Sequence, residues 1–315
     1  MLKVGLVGVG GISGSHIPAW DKMEDTELVA LCDIRPEQME KYPDKRHYTD
    51  FEEMLNNEQL NIVDICLPTY LHADYAVRAL EHGIHVLCEK PIALRPEEVQ
   101  RVYGTAKAHN VRFMIAQVLR FWDEYEYLKD VYDTGKFGKL LSGSMERLGC
   151  FPTWSWDGWF CDEKRSGLVP YDLHIHDLDF LVYAFGAPKG VKSWRCKRDD
   201  QDSFHVVYDY DSFHISADAA WYKPDYAFRA GYRFQFENAV LELADGKLTV
   251  YEVGKEPYCP IVDAAADAAA DDYIPTTNAY ANEIRYFTDC VEQGREANKV
   301  KPEELEIVIR LLNSL

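Results

Sequence analysis

The stretch "SGLVPYDLHIHDLDF", Ser166 to Phe180, holds two histidines and three aspartates within the eight positions from Asp172 to Asp179. Two chemistries suit such a cluster. A His-x-His pair beside carboxylates could ligate a metal, and an Asp-x-x-x-His pair could carry proton transfer. Secondary structure chooses between them. On a strand, His174 and His176 would share a face and chelate together. On a helix they point about 200° apart, while Asp172 stacks against His176 one turn away. Ile175, Leu178, Val182 and Phe185 follow helical spacing, Gly186 offers a C-cap, and Pro188 blocks continuation. The pattern predicts a helix carrying a carboxylate–imidazole pair, and no metal is expected there.

A second group of residues suits a phosphate. "VGLVGVGGISGSH" follows a strand-like run and opens a helix, the context in which a Gly-x-Gly-x-x-Gly loop binds a dinucleotide. Gly8 allows the tight turn and Gly10 lets the backbone approach a pyrophosphate. Gly11 and Ile12 lead into the helix, whose N-terminus presents free N–H groups and a positive dipole end. Ser13 stands where the third glycine is usual, and a small residue still permits close packing. Asp33 ends the second strand-like run; its carboxylate can accept the ribose hydroxyls and repel a 2′-phosphate, which favours NAD. Arg35, two residues on, could pair with that phosphate and keeps NADP as the alternative.

The elements that must position these residues fall into two groups. Strand-like runs at Leu2–Val7, Leu28–Cys32, Ile62–Leu67, His85–Cys88 and Val111–Val118 alternate with helical patterns at Ser15–Met23, Asp50–Asn56, Leu71–His82 and Pro96–His109. Near-continuous Val, Ile and Leu strands between helices predict a doubly wound parallel sheet covered on both faces. After about residue 120 a helix (Asp123–Thr134), a strand (Lys139–Leu148) and a Trp-rich segment with Trp154, Trp156 and Trp159 follow. Short, partly alternating strands then recur from Val191 to Tyr251, predicting a mostly antiparallel sheet with one covered face. "DAAADAAADD" (Asp263–Asp272) reads as a linker or exposed helix, and helices at Asn278–Gln293 and Pro302–Asn313 close the chain. The fold class expected is α/β: a Rossmann domain over 1–120 and an α+β domain with a large open sheet over 121–315. The C-terminal helices, 278–315, could pack back on the first domain.

Length and charge bound the function. A chain of 315 residues exceeds the usual single-core size. Its net charge of −19 speaks against a general nucleic-acid or anionic-membrane binder, since phosphate affinity comes mainly from clustered Lys and Arg. It does not exclude one phosphate ligand held by backbone amides. "MLKVGLVGVGG" enters a strand at once, without a signal-peptide hydrophobic region, and no apolar run approaches the roughly 18 residues of a membrane span. Cys32, Cys66 and Cys88 read as reduced, buried thiols. A cytoplasmic location is expected.

Five segments together resemble the Gfo/Idh/MocA oxidoreductase family, the glucose–fructose oxidoreductase and inositol dehydrogenase-like enzymes. They are "CLPTYLH" (Cys66–His72), "HVLCEKPIAL" (His85–Leu94), "AQVLRFW" (Ala116–Trp122), "SGLVPYDLHIHDLDF", and the closing "YANEIRYFTDCVEQGREANKVKPEE". They occur in the family's order through nearly the whole chain. The resemblance implies an N-terminal NAD(P)-binding domain and a C-terminal sheet that often builds homodimers or homotetramers. It implies a catalytic trio carried here by Lys90, Asp172 and His176. It places Pro68, Thr69, His72, Glu89 and Lys90 along the cofactor, and Arg120, Trp122, Trp159 and Tyr280 near substrate.

These readings converge on an NAD(P)-dependent dehydrogenase moving hydride between nicotinamide and a secondary alcohol of a sugar, polyol or inositol. His176 would take the hydroxyl proton, Asp172 would fix its tautomer, and Lys90 would stabilise the developing alkoxide. Three alternatives stand beside it: a metal-dependent hydrolase using His174 and His176, a non-enzymatic ligand sensor, and a sugar transformation through transient oxidation with retained cofactor. The substrate itself is not legible.

Overall fold

The computed structural model describes residues 1–261 and 278–315, so the "DAAADAAADD" segment lies outside the described residues. The described chain divides into two compact units, residues 1–118 with 278–306 and residues 119–261 with 307–315.

The first unit is built on six parallel strands. These are β1 (Leu2–Val7), β2 (Thr26–Cys32), β3 (Arg46–Tyr48), β4 (Ile62–Ile65), β5 (His85–Glu89) and β6 (Phe113–Ala116), in the order β3-β2-β1-β4-β5-β6. This is the doubly wound arrangement in which the strand order reverses beside β1 and ligands bind beyond the strands' C-terminal ends. The central strands are apolar on both faces, as burial between two helical layers requires: Val4, Leu6, Ile62, Val63, Ile65, Val86 and Leu87 are all fully buried. The short edge strand β3 is the element that the apolar pattern does not announce.

Helices α1 (Ser13–Asp21), α2 (Phe51–Asn57), α3 (His72–Glu81) and α4 (Pro96–Ala108) connect the strands. Asp50 caps α2, its carboxylate accepting the Glu53 N–H at 2.9 Å, and Pro96 opens α4 at the position where no donor is lost.

The second unit opens with α5 (Asp123–Thr134), which ends at left-handed Gly135. Next come β7 (Leu140–Cys150), the short α6 (Glu163–Ser166) and α7 (Ile175–Phe185). The expected helix around Asp172 is present, but its first turn, Pro170–His174, is a π turn with wider hydrogen bonding than an α-helix. A seven-stranded sheet adds β8 (Gly190–Arg198), β9 (Gln201–Asp209), β10 (His214–Tyr222), β11 (Arg229–Phe236), β12 (Ala239–Ala244) and β13 (Lys247–Glu252), ordered β13-β12-β11-β7-β10-β9-β8. Every pairing is antiparallel except β7 with β10. In β9 the alternation is clear, with Phe204, Val206 and Tyr208 buried between exposed or half-buried neighbours, so one face of this sheet is covered. Edge strand β8 carries Lys192, Arg195, Lys197 and Arg198, charges that discourage edge pairing.

The chain closes with α8 (Ala279–Glu292) and α9 (Pro302–Ser314). Helix α8 belongs to the first unit and packs against α1. The Arg285 guanidinium pairs with Asp25 at 2.6 Å, and Arg112 donates to the carbonyls of Gly294 and Arg295 at 2.6 and 3.0 Å. Among the described residues no helix is long and apolar enough to cross a membrane, and none of the cysteines is in a disulfide.

Candidate active site

In the first unit, the loop from β1 to α1 forms the cradle. Gly8 has φ +93, and a Cβ there would stand 2.6 Å from the Cys66 carbonyl oxygen, so both its conformation and its packing require glycine. Gly10 is different: nothing lies within 4 Å of where its Cβ would be. The space above that backbone is open, as close approach of a pyrophosphate needs. Gly11 is exposed, and Ile12 stands at the N-cap of α1. Ser13 turns its hydroxyl back onto the Gly10 carbonyl at 2.6 Å, which tightens the loop.

Asp33 closes the cradle at the end of β2. Its Oδ2 accepts the Val9 N–H at 2.8 Å, and its Oδ1 accepts the Arg35 N–H at 2.8 Å and the Arg35 Nε–H at 3.3 Å. Arg35 is therefore engaged with the carboxylate whose ribose role it would oppose. Ile34 between them is 63% exposed, an apolar side chain at the mouth of the loop that motif reading passes over.

The end of β4 and the end of β5 are tied together by His72. Pro68 leads into a 3-10 turn, Thr69–Leu71, and Thr69 is buried. The His72 ring lies with Nδ1 2.7 Å from the Pro91 carbonyl oxygen and Nε2 2.6 Å from that of Leu67. Burial holds its pKa below the usual imidazole range. Glu89 is buried at the end of β5, Lys90 is half-buried, and the Lys90–Pro91 peptide bond is cis. Tyr280, on α8, sets its ring 5.8 Å from that of His16 on α1.

His16 leads to a cluster that the sequence reading missed. Its Nδ1 lies 2.8 Å from Asp64 Oδ2, and its Nε2 lies 3.0 Å from Glu89 Oε1. Trp20 Nε1–H donates to the same Asp64 oxygen at 2.7 Å, and the Cys66 thiol reaches Asp64 Oδ1 at 3.8 Å. His16, Asp64 and Cys66 hold donor atoms within 4.8 Å of one another, but these hydrogen bonds already account for their arrangement. Burial opposes a charge on His16, yet Asp64 overrides it and holds the imidazole well above its usual range. The signal was one residue: Asp64 is the only charge in "IVDI", and a charged group in a core strand needs a partner.

In the second unit the acidic and histidine residues of the opening stretch separate by role. From Ser166 to Val182 every residue is buried except Asp172 and His176. The others hold the helix. Arg147 on β7 donates to Asp177 at 2.8 Å, and Arg120 grips both oxygens of Asp179 at 2.8 and 2.7 Å. Burial alone would disfavour the Arg147 charge, and Asp177 holds it. His174 Nε2 shares a 2.5 Å hydrogen bond with the Tyr208 hydroxyl on β9. These ties fix the rotation of α7 and leave Asp172 and His176 on its accessible side.

Of the remaining candidates, Arg120 is wholly buried, its guanidinium held by Asp179 and lying over the Tyr183 ring, so in this conformation it offers no surface to a substrate. Trp122 is half-buried against Tyr125. Trp159 stacks on Phe160 at 4.0 Å, while Trp154 and Trp156 stand exposed.

The frame predicts a pH dependence. Burial, with Arg147 nearby, pushes His174 down to about 3. An unfolded imidazole takes its proton near 6.5, so between that pH and about 3 the unfolded state holds the extra proton at this residue. Stability therefore falls as pH falls through this window, by at most about 1.4 kcal/mol per pH unit. Denaturant unfolding followed from about pH 7 down to 4 should show a shallower loss in His174→Gln than in the wild type.

The first unit carries a Rossmann-type dinucleotide cradle, and the second carries a carboxylate–imidazole helix beside an open sheet. Comparison with known proteins agrees. Residues 2–117 match the model of an oxidoreductase family with an NAD-binding Rossmann fold, and residues 125–242 match the GFO/IDH/MocA C-terminal domain. The chain belongs to the GFO/IDH/MocA oxidoreductase family.

It is 31% identical over 201 residues to the D-glucoside 3-dehydrogenase of Escherichia coli, covering 61% of this chain and 56% of that protein. It is 32% identical over 189 residues to the inositol 2-dehydrogenase of Salmonella typhimurium, covering 57% and 53%. The chain thus spans about half the length of these curated relatives. A solved levoglucosan dehydrogenase in complex with NADH and levoglucosan shares the fold at a TM-score of 0.84 and 18% identity, over 99% of this chain and 95% of that one.

Proposed function

We propose that this chain is a cytoplasmic NAD-dependent dehydrogenase, with NADP as the alternative, acting on a secondary alcohol of a sugar, polyol or inositol. One observation carries the reading. Asp172 and His176, four residues apart, are the two half-buried positions between Ser166 and Val182, where every other residue is buried, in a chain whose first unit carries a dinucleotide cradle. The relatives named as glucoside and inositol dehydrogenases support the substrate class.

The bound nicotinamide would supply the hydride acceptor. His176, as neutral imidazole, takes the hydroxyl proton, the general-base role that imidazole side chains fill most often. Asp172 fixes the ring's tautomer and stabilises the imidazolium. The Lys90 ammonium donates to the alcohol oxygen and stabilises its developing negative charge. Pro91 keeps Lys90 out of the α region at the C-terminal edge of β5. Gly8, Gly10, Gly11 and Ile12 cradle the pyrophosphate, Asp33 with Arg35 reads the ribose, and Pro68, Thr69, His72 and Glu89 complete the wall. Trp122, Trp159 and Tyr280 are the proposed substrate contacts. A homodimer or homotetramer would use the second sheet, where Leu141, Trp194 and Tyr251 stand exposed.

The test is absorbance at 340 nm with either nicotinamide cofactor against inositols, aldoses and sugar acids. Reduction with one substrate class is the expected result. Cofactor that stays bound with no net reduction would favour a retained-cofactor reaction, and no cofactor affinity would sink the enzyme reading. In the same assay Asp33→Asn keeps an acceptor for Val9 but loses the charge that repels a 2′-phosphate. Its kcat/KM ratio for NAD over NADP should fall by about 10- to 100-fold, the weight of one hydrogen bond to a charged group.

A further inference from the structure

We propose that His16 is a positioning residue: as an imidazolium anchored by Asp64, it fixes the carboxylate of Glu89 and, through it, the backbone of Lys90. The inference rests on the dehydrogenase reading above. It comes from geometry that this reading does not use. Both nitrogens of His16 face carboxylate oxygens, Asp64 Oδ2 at 2.8 Å and Glu89 Oε1 at 3.0 Å. Ionised carboxylates only accept, so the ring must donate from both sides and carry a proton on each nitrogen.

The other oxygen of Glu89 accepts the Lys90 N–H at 3.2 Å. One carboxylate therefore joins the buried ring to the residue proposed to stabilise the alkoxide. Asp64 is held independently by the Trp20 N–H, which gives the clamp a fixed end. His72 holds the far side of the same triplet through the Pro91 carbonyl. His16, Asp64 and Glu89 are 1%, 0% and 7% exposed, so water does not screen these charges. The described titratable groups facing the ring are Asp64 on β4, Cys66 just past its end, Cys88 and Glu89 on β5, and Tyr280 on α8.

A misplacement of about 1 Å at a reacting group lowers rate by about 10²-fold, so a loosened Lys90 should show in turnover. The full chain labelled with ¹⁵N-histidine, read by NMR, gives the ring's charge directly. The wild type should keep both His16 N–H groups at pH values above the ordinary imidazole range. Steady-state kinetics on His16→Gln should show kcat lowered by about 10²-fold, with KM and the NAD dissociation constant within about 3-fold of wild type, and Glu89→Gln should lower kcat by a similar factor. Glu89→Gln keeps the volume of the side chain and serves if His16→Gln does not fold.

A neutral His16 ring at pH 7, with the proton on Glu89 instead, would overturn the proposal. So would unchanged kcat in both variants, or a fall in kcat in His16→Gln matched by equal losses in cofactor affinity and thermal stability. If the wild type oxidises no alcohol, the dehydrogenase reading fails, and the ring's charge state still decides the clamp.

Discussion

Replacing His176 with alanine should lower kcat by about 10³-fold, within the 10²–10⁴-fold that a positioned general base contributes. NAD binding should survive, because the cradle residues belong to a different unit of the chain. Stability should change little, since His176 is half-buried on a helix held by other ties: Asp177 to Arg147, Asp179 to Arg120, and His174 to Tyr208. Stopped-flow and steady-state absorbance on the variant, with cofactor titration alongside, measure all three. Asp172→Asn should retain part of the activity, because it keeps a hydrogen-bonding side chain but loses the charge that stabilises the imidazolium. A His176→Ala variant with wild-type kcat would remove the residue from catalysis and with it the observation on which the function rests.

Arg120→Met should unfold the protein at a temperature roughly 10 °C lower. Removing one partner of a buried ion pair leaves the other charge stranded, at about 3–5 kcal/mol, and each kcal/mol moves the midpoint of a domain of this size by about 2–4 °C. Here the group that loses its counter-charge is Asp179, 1% exposed, and both of its oxygens lose the bond from Arg120. The double variant Arg120→Met, Asp179→Leu should recover part of the loss, because the buried carboxylate is removed together with the guanidinium it paired with. Thermal denaturation of the three proteins measures the cycle. The same set tests the role that family resemblance gives Arg120. If the double variant is stable yet its substrate KM is raised well above wild type, Arg120 reaches substrate in the working enzyme. If KM is unchanged, the residue is a brace for α7.

Much of the first unit could be read from the sequence because its signals are local. Strands β1, β4 and β5 are short apolar runs, Gly8 announces a turn by being glycine, and Asp33 follows its strand at the expected distance. The helix of Asp172 and His176 was legible in the same way, from the spacing of Ile175, Leu178 and Val182. What was not legible depends on partners far along the chain. Asp177 meets Arg147 thirty residues away, His174 meets Tyr208 at 34, and Asp179 meets Arg120 at 59. Without those partners the three residues look as reactive as Asp172 and His176. His16 was invisible for the same reason, since Asp64 and Glu89 lie 48 and 73 residues beyond it. The π turn at Pro170–His174 has no composition that marks it. Strand β3 is three residues long, below the length at which alternation can be counted.

Helix α8 completes the first unit, yet it lies about 260 residues beyond α1, the helix it covers. A ribosome adds about 5–20 residues each second, so α1 waits on the order of tens of seconds for its partner. Through that interval the side of α1 that will meet Tyr280 is uncovered, and Asp25 has no Arg285 to pair with. The six-stranded sheet can form early, because all its strands are made by residue 116. The nascent nucleotide-binding half therefore emerges as a sheet with one helical layer unfinished, and its last piece arrives only after the whole second sheet has been synthesised.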